Sequence, residues 1–406
     1  MIQNWTNKVV EKNKLPINIG QILPFLVLLF SFFPYIKIVS FGSDIQPWSI
    51  LMVTLYSMLL FYSGYRFQKV FIYLLIPMVC SILLFFVGDN QFSSIRSIAG
   101  YFTVVLTPLV FHRILNKYYD LTVNFLKFAV ITYLIIGVIQ IFFDMNFLSF
   151  LLPRVSTFGG RGAVSLSPEP TFYGIVCLFL MLLFLTLDIK NKSLFIYLLL
   201  FQIFFIAQSS MVILFLSIFG FYYTIFKFKV KTLLLLILVL CIVMVSLDSY
   251  HYDSRALHLL NIVITNPGSL MSDESINARM AAIYFSVMGF IDNFGLPNGF
   301  AAFANYQEIA MPEQDIFIHL RSPPDRIMSY YGGILFELGV IGLLVPISYS
   351  IILLKAYKKN FKNFLLFFFF LNTILFAAIP VTLPLVGFYI GALLYRSDNG
   401  ANAQYE

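Results

Sequence analysis

Apolar runs of 17–20 residues recur along the whole chain, each long enough to cross the ~30 Å hydrocarbon core of a bilayer as a helix. In lipid, every backbone N–H and C=O must find its partner within the protein, which leaves only helices or closed barrels. A barrel would show short segments of alternating polarity. Here the runs are continuous, as in IVCLFLMLLFLTL at 175–187. The 406 residues are 60% hydrophobic and 11% charged, which excludes a soluble globular protein. The expected class is an all-α polytopic membrane protein, one integral membrane domain over residues 1–406.

The pattern predicts twelve spans: 20–40, 47–65, 69–87, 97–115, 124–143, 170–188, 193–208, 210–227, 231–248, 331–355, 362–378 and 380–396. Two stretches, 193–227 and 362–396, read as pairs of short spans. Each turns at a plausible tip, Gln208-Ser209-Ser210 in one and Pro380 in the other. Basic residues favour the cytoplasmic side. With both termini cytoplasmic, the inner ends collect 18 of the 26 basic residues, and both short pairs are needed to bring Lys190, Lys192, Lys227, Lys355 and Arg396 to one side. The basic N-terminal stretch runs into the first span without a small-residue cleavage site, so that span is expected to be retained. Cys80, Cys177 and Cys241 fall in three different spans, and neither a disulfide nor a cysteine metal site is expected.

Two segments stand outside the membrane in this reading, 144–169 and the much longer 249–330 between spans nine and ten. They are expected to cap an extracytoplasmic site. The second should hold a short helix near 254–264, a turn at Asn266-Pro267-Gly268 and an amphipathic helix over about 273–292, capped by Ser272 or Asp273.

Lysine and arginine divide between the two sides. The eight outer basic residues are Lys37, Arg96, Arg154, Arg161, Arg255, Arg279, Arg321 and Arg326; seven are arginine, whereas 15 of the inner 18 are lysine. The positive-inside rule treats the two alike. A guanidinium binds phosphate or carboxylate with a rigid planar fork. The outer arginines therefore point to an anionic lipid-linked substrate, to pairing with nearby acids, or to both. The spans hold almost no charge. The exception is Glu337, either a functional carboxylate or a hydrogen-bonding group near a helix end. A row of intramembrane acids or histidines, as an ion-coupled transporter needs, is missing from the sequence.

Residues 161–174 read RGAVSLSPEPTFYG. Pro168 and Pro170 set the backbone ahead of span six, so Glu169 falls at a helix N-terminus. There it either complements the helix dipole or serves as a positioned carboxylate, a general base or a holder of a sugar hydroxyl. This stretch resembles the "EPS" segment of Wzy-type O-antigen and capsular polysaccharide polymerases. AQSSMVILFL at 207–216 is similar to a Ser-rich turn of that family and of the O-antigen ligases. INARMAAIYFSVMGFIDNFGLPNGFAAF resembles their outer-loop pattern of a helical Arg, a Gly-containing turn and an aromatic. HLRSPPDRIMSYYGGILFELGVIG resembles their His-containing segment entering an E-x-G-x-x-G-like span.

The resemblance implies a GT-C-like fold and an inverting, metal-independent glycosyltransferase at the outer face of the bacterial cytoplasmic membrane. It would join undecaprenyl-pyrophosphate-linked oligosaccharide units, with no cofactor. Its partners would be membrane lipids and a chain-length regulator, and no nucleic acid. Arg161, Arg279, Arg321 and Arg326, with Arg154 and Arg96 behind them, are expected to meet the pyrophosphate. Glu169, ahead of His319, is expected to act as base. His319-Leu320-Arg321 departs from the His-Asn of the ligases. An O-antigen ligase and a lipid-linked oligosaccharide flippase are the alternatives.

Overall fold

The computed structural model describes residues 19–39, 41–64, 69–87, 92–156, 162–227, 262, 265–311, 327–377 and 379–402. The described residues form helices and connecting loops, with no strand among them. In chain order the helices are α1 (Ile19–Phe32), α2 (Trp48–Tyr62), α3 (Val70–Val87), α4 (Phe92–Lys117), α5 (Tyr119–Phe142), α6 (Pro170–Thr186), α7 (Lys192–Phe201) and α8 (Ser210–Lys227). Then come α9 (Glu274–Asp292), α10 (Ala302–Ala310), α11 (Tyr330–Leu338), α12 (Leu344–Ala356), α13 (Phe361–Ala377) and α14 (Pro384–Asn402). Five segments are long and apolar enough to cross a membrane: Val70–Val87, Ser94–Lys117, Tyr119–Phe142, Ser210–Lys227 and Tyr330–Ala356. Five further apolar helices are shorter, among them α2, α6 and α13. The chain is a helical membrane protein.

Helix α6 is apolar all round, and 15 of its 17 residues are buried. A helix without a polar face belongs at the centre of a bundle, and α6 packs against α7, α8 and α14. By contrast α8 turns Leu214, Phe221 and Ile225 outward, and α3 does the same with Ile72, Leu83 and Phe86. These two helices present the apolar flank that lipid would cover.

The longest interface joins α14 to α4. Gly387 and Gly391, one helical turn apart, let the two backbones meet. A Cβ on Gly387 would lie 2.6 Å from the Thr107 Cβ, and one on Gly391 would lie 2.7 Å from the Pro108 carbonyl oxygen. Small residues at this spacing are how helices approach closely in lipid, where water cannot drive them together. Phe388 sits between them in sequence, with its ring 4.0 Å from that of Phe111 and stacked on Phe32 at 5.2 Å.

Helix breaks fall where the punctuating residues stand. The run expected to span 20–40 is helical only to Phe32. Pro34 disfavours a helical residue before it, and the chain turns there, Gln46 N–H donating to the Pro34 carbonyl. Helix α7 widens into a π-helical turn over Gln202–Ala207 and ends at Gln208, whose φ is +46°. The helices α13 and α14 are separated around Pro380. Span ten is two helices, α11 and α12, broken at Gly339 and joined through a 3-10 segment over Gly339–Leu343. The expected span 231–248 and the short helix near 254–264 lie outside the described residues, apart from Ile262.

The long loop folds onto the bundle. The side chain of Asp273 accepts from the Ile276 N–H at 3.0 Å and caps α9 as the sequence suggests. Ala281 and Phe285 of α9, Phe303 of α10 and Phe336 of α11 form a separate small core. The Gly/Pro turn between α9 and α10 ties to the end of α11. Asn298 N–H donates to the Phe336 carbonyl at 3.1 Å, and Val340 N–H to the Gly295 carbonyl at 2.8 Å. Gly339 makes this possible: its φ is +61°, and a Cβ there would lie 2.3 Å from the Gly295 oxygen.

Gly391→Ala is expected to cost about 1–3 kcal/mol, the usual penalty for overpacking a close contact. The effect is read as a lowered Tm in detergent; Gly391 lies within α14 and carries no positive φ, so the cost is that of the close contact with the Pro108 oxygen and the Phe111 side chain.

Candidate functional site

Helices α2, α4, α6, α11 and α14 all begin at one end of the bundle, and a cleft opens there. It is lined by Asp44 before α2, Arg96 and Ser97 on the first turns of α4, Phe172 at the start of α6, Glu337 on α11, and Pro380-Val381-Thr382 ahead of α14. Ala301, Phe303 and Ala304 of the long loop close one side. The volume of the cleft is about 110 Å³. Phe300 leans on Tyr101 behind the cleft, with ring centres 6.0 Å apart.

Glu337 is half-buried in this wall. One of its carboxylate oxygens accepts from Ser97 Oγ at 2.9 Å and the other from the Tyr101 hydroxyl at 2.6 Å. Burying a carboxylate among apolar helices is costly unless its oxygens are hydrogen-bonded. The two hydroxyls of α4 meet that need and fix the group's orientation. Glu337 is thus the hydrogen-bonded group near a helix end that the sequence allowed for, and it also lines the cleft.

Next to the cleft, Arg154 bridges two acids from different parts of the chain. Its Nε and Nη2 donate to the two Asp44 oxygens at 2.8 and 2.9 Å, and Nη2 also lies 2.8 Å from Glu169 Oε1. The side chains of Asp44 and Glu169 are 17% and 18% exposed, and that of Arg154 is 45% exposed. Hydrogen bonding to Asp44 holds the guanidinium pKa above its already high ordinary value, with partial burial acting against it. Glu169 occupies the N-cap of α6 with Pro170 following, as its sequence position implies. Its carboxylate makes no capping bond to the backbone and turns to Arg154 instead. The dipole of α6 still favours a negative charge at that position.

Of the residues picked out in the sequence, the structure brings Arg154 and Glu169 into contact and puts Arg96 in the cleft wall. Arg279 lies on α9, where its Nη1 donates to Ser275 Oγ at 2.8 Å, and it is not among the cleft-lining residues. Arg161, His319, Arg321 and Arg326 lie outside the described residues. Three members of the site escaped the sequence reading: Asp44, Ser97 and Tyr101. Asp44 was within reach, because the charge count puts the 41–47 connection on the same side as Arg154. Among the described residues no group of three His, Cys, Asp or Glu side chains could hold a metal ion.

No protein-family model matches the sequence, and no curated protein matches it.

The Arg154–Asp44 pair is expected to be coupled. In a double-mutant cycle of Arg154→Ala and Asp44→Ala, the interaction should amount to about 0.5–1.5 kcal/mol, modest because the arginine is half-exposed. Strictly additive losses of thermal stability would refute the coupling.

Proposed function

We propose that the protein is a polymerase that joins undecaprenyl-pyrophosphate-linked oligosaccharide units into O-antigen or capsular polysaccharide at the outer face of the bacterial cytoplasmic membrane. In this reading the chain has twelve spans in a GT-C-like arrangement, both termini are cytoplasmic, and the cleft faces outward. The observation that carries it is the cleft itself. A hydrogen-bonded carboxylate, Glu337, stands with Asp44 and Arg96 at the end of a bundle almost bare of charge. The resemblance of the SPEP and ELGVIG segments to Wzy-type polymerases supplies the substrate class.

The reaction needs an acceptor for one proton and positive charge for a leaving group. A hydroxyl of the acceptor sugar attacks C1 of the donor glycan. Its proton passes to a carboxylate, the C1–O bond to the pyrophosphate breaks with inversion, and the electron pair leaves with the polyprenyl pyrophosphate. Glu337 suits the proton-accepting role better than Glu169, because Glu337 lines the cleft while Glu169 is held by Arg154. Glu169 then acts at one remove, through Arg154, to set the position of Asp44. Arg96 lines the cleft, and Ile327 and Met328, which also line it, follow Arg326 directly in sequence. Arg96, Arg161, Arg321 and Arg326 are assigned to the developing phosphate charge, and Arg279 to a more distant part of the substrate.

Purified protein given a single lipid-pyrophosphate-linked repeat unit should yield a ladder of two, three and more repeats on a gel. An unchanged band from folded protein would reject the polymerase; transfer to lipid A core or transbilayer movement of the unit would then identify a ligase or a flippase. Glu337→Gln should lower the elongation rate by roughly 10²–10⁴, the usual contribution of a general base. Glu169→Gln should leave measurable elongation. A Glu337→Gln protein that elongates at the wild-type rate would exclude the assigned base.

A further inference from the structure

A second cavity, of about 390 Å³, lies at the opposite end of the bundle. It is lined by Tyr119 at the start of α5, Thr186, Leu187 and Asp188 at the end of α6, Lys192 at the start of α7, and Tyr395, Arg396 and Asn399 on α14. Phe172 in the first cleft and Thr186 here are 14 positions apart on α6, roughly 21 Å along its axis. The apolar belt of the bundle lies between them. The second cavity therefore lies at the far end of the bundle, on the side away from the cleft, where Lys190, Lys192 and Arg396 mark the bilayer boundary.

We propose that this cavity binds the headgroup of a membrane phospholipid carrying both a phosphate and an amine, the phosphoethanolamine type. Arg396 and Lys192 supply the phosphate half. The Arg396 guanidinium is held in place, Nη1 donating to the Thr186 carbonyl at 3.0 Å while the group lies 4.7 Å over the Tyr357 ring. Its remaining N–H groups leave a fork suited to a phosphate. Lys192 is the first residue of α7, where the helix dipole opposes a cation, and the first turn holds no acid to offset it. Neither cation makes an ion pair among the described residues. The Thr186 hydroxyl is buried and turns to the hydroxyls of Tyr357 and Tyr389, so Thr186 holds the arginine through its backbone carbonyl and leaves the phosphate to the two cations.

The amine half faces Asp188 and two tyrosines. Asp188 is exposed, its backbone carbonyl accepts from the Tyr119 hydroxyl at 2.9 Å, and its carboxylate is near enough to that hydroxyl to act on it electrostatically. Tyr119 stacks on Tyr395 with ring centres 5.6 Å apart. A carboxylate beside stacked aromatic faces is a site for an ammonium ion. Two cations and one anion around a single cavity match a zwitterionic headgroup better than a purely anionic one, which would meet Asp188 as a like charge. The site stands apart from the polymerase reading and belongs to whichever leaflet faces this end.

The test uses the full chain in detergent, stripped of lipid and titrated with phosphatidylethanolamine, phosphatidylglycerol or inorganic phosphate. Binding is followed by native mass spectrometry and by Tm. Phosphatidylethanolamine should be retained and should raise Tm by several degrees, with weaker effects from the other two. Lys192→Gln should weaken its binding roughly tenfold, the loss of one charged phosphate contact. Asp188→Asn should bind the two lipids equally. Equal binding of both lipids by the unaltered protein would overturn the amine half, and a Tm rise from inorganic phosphate matching that of the lipid would overturn a lipid site. Unchanged lipid binding by a folded Lys192→Gln protein would overturn the site altogether.

Discussion

The cleft rests on the backbone contact between α4 and α14. Gly387 and Gly391 bring α14 against Thr107 and Pro108 of α4, closer than any side chain would allow. Because both helices are long, the contact fixes their far ends as well. At one end Gly100 of α4 meets Val381 and Thr382, the residues that lead into α14 and line the cleft. At the other, His112 of α4 reaches Asp398 of α14 at 2.9 Å. Nothing in lipid forces apolar helices together by excluding water, so shape and backbone proximity have to supply the association.

Charge is organised around the same scarcity. A carboxylate among apolar helices is costly unless its oxygens are bonded, and Glu337 is bonded on both. Ser97 and Tyr101, which bond it, lie one turn apart on α4, so the glycine contact that positions α4 also sets the direction of the Glu337 carboxylate. The Arg154 bridge performs a related task in the loops. It joins the connection before α2 to the entrance of α6 and keeps two acids of like sign from repelling each other across a small distance. The acid that was most conspicuous in the sequence, Glu169, thereby supports its less conspicuous neighbour.

How much of this was legible follows from the range of each interaction. Period and length are local, so helix positions agreed closely: 70–87 and 170–186 fall within a few residues of the expected spans. Caps and breakers are local too, and Asp273, Gln208 and Pro380 act where the sequence puts them. The first helix ends at Phe32, short of its expected span, although the apolar run continues past Pro34, because burial of Phe33 and Tyr35 satisfies that run without a helix. The site was only half legible. Glu169 and Arg154 drew notice as charges in an apolar chain, but the Asp44–Arg154 pairing spans 110 positions and Tyr101–Glu337 spans 236. No spacing rule reaches that far; only the packed helices bring these residues together.

Helices α6 and α14 each run from the cleft to the second cavity. One end of α6 carries Phe172 and the other Thr186; α14 follows Thr382 and carries Arg396 and Asn399 toward its other end. Neither helix can shift at one end alone, because α6 is buried along its whole length and α14 is locked to α4 through backbone contacts. A close-packed interior transmits displacement instead of absorbing it. A headgroup held by Arg396 would load α14 directly and α6 through the bond from Arg396 to the Thr186 carbonyl. The lipid bound at one end of the bundle would then bear on the geometry of the cleft at the other.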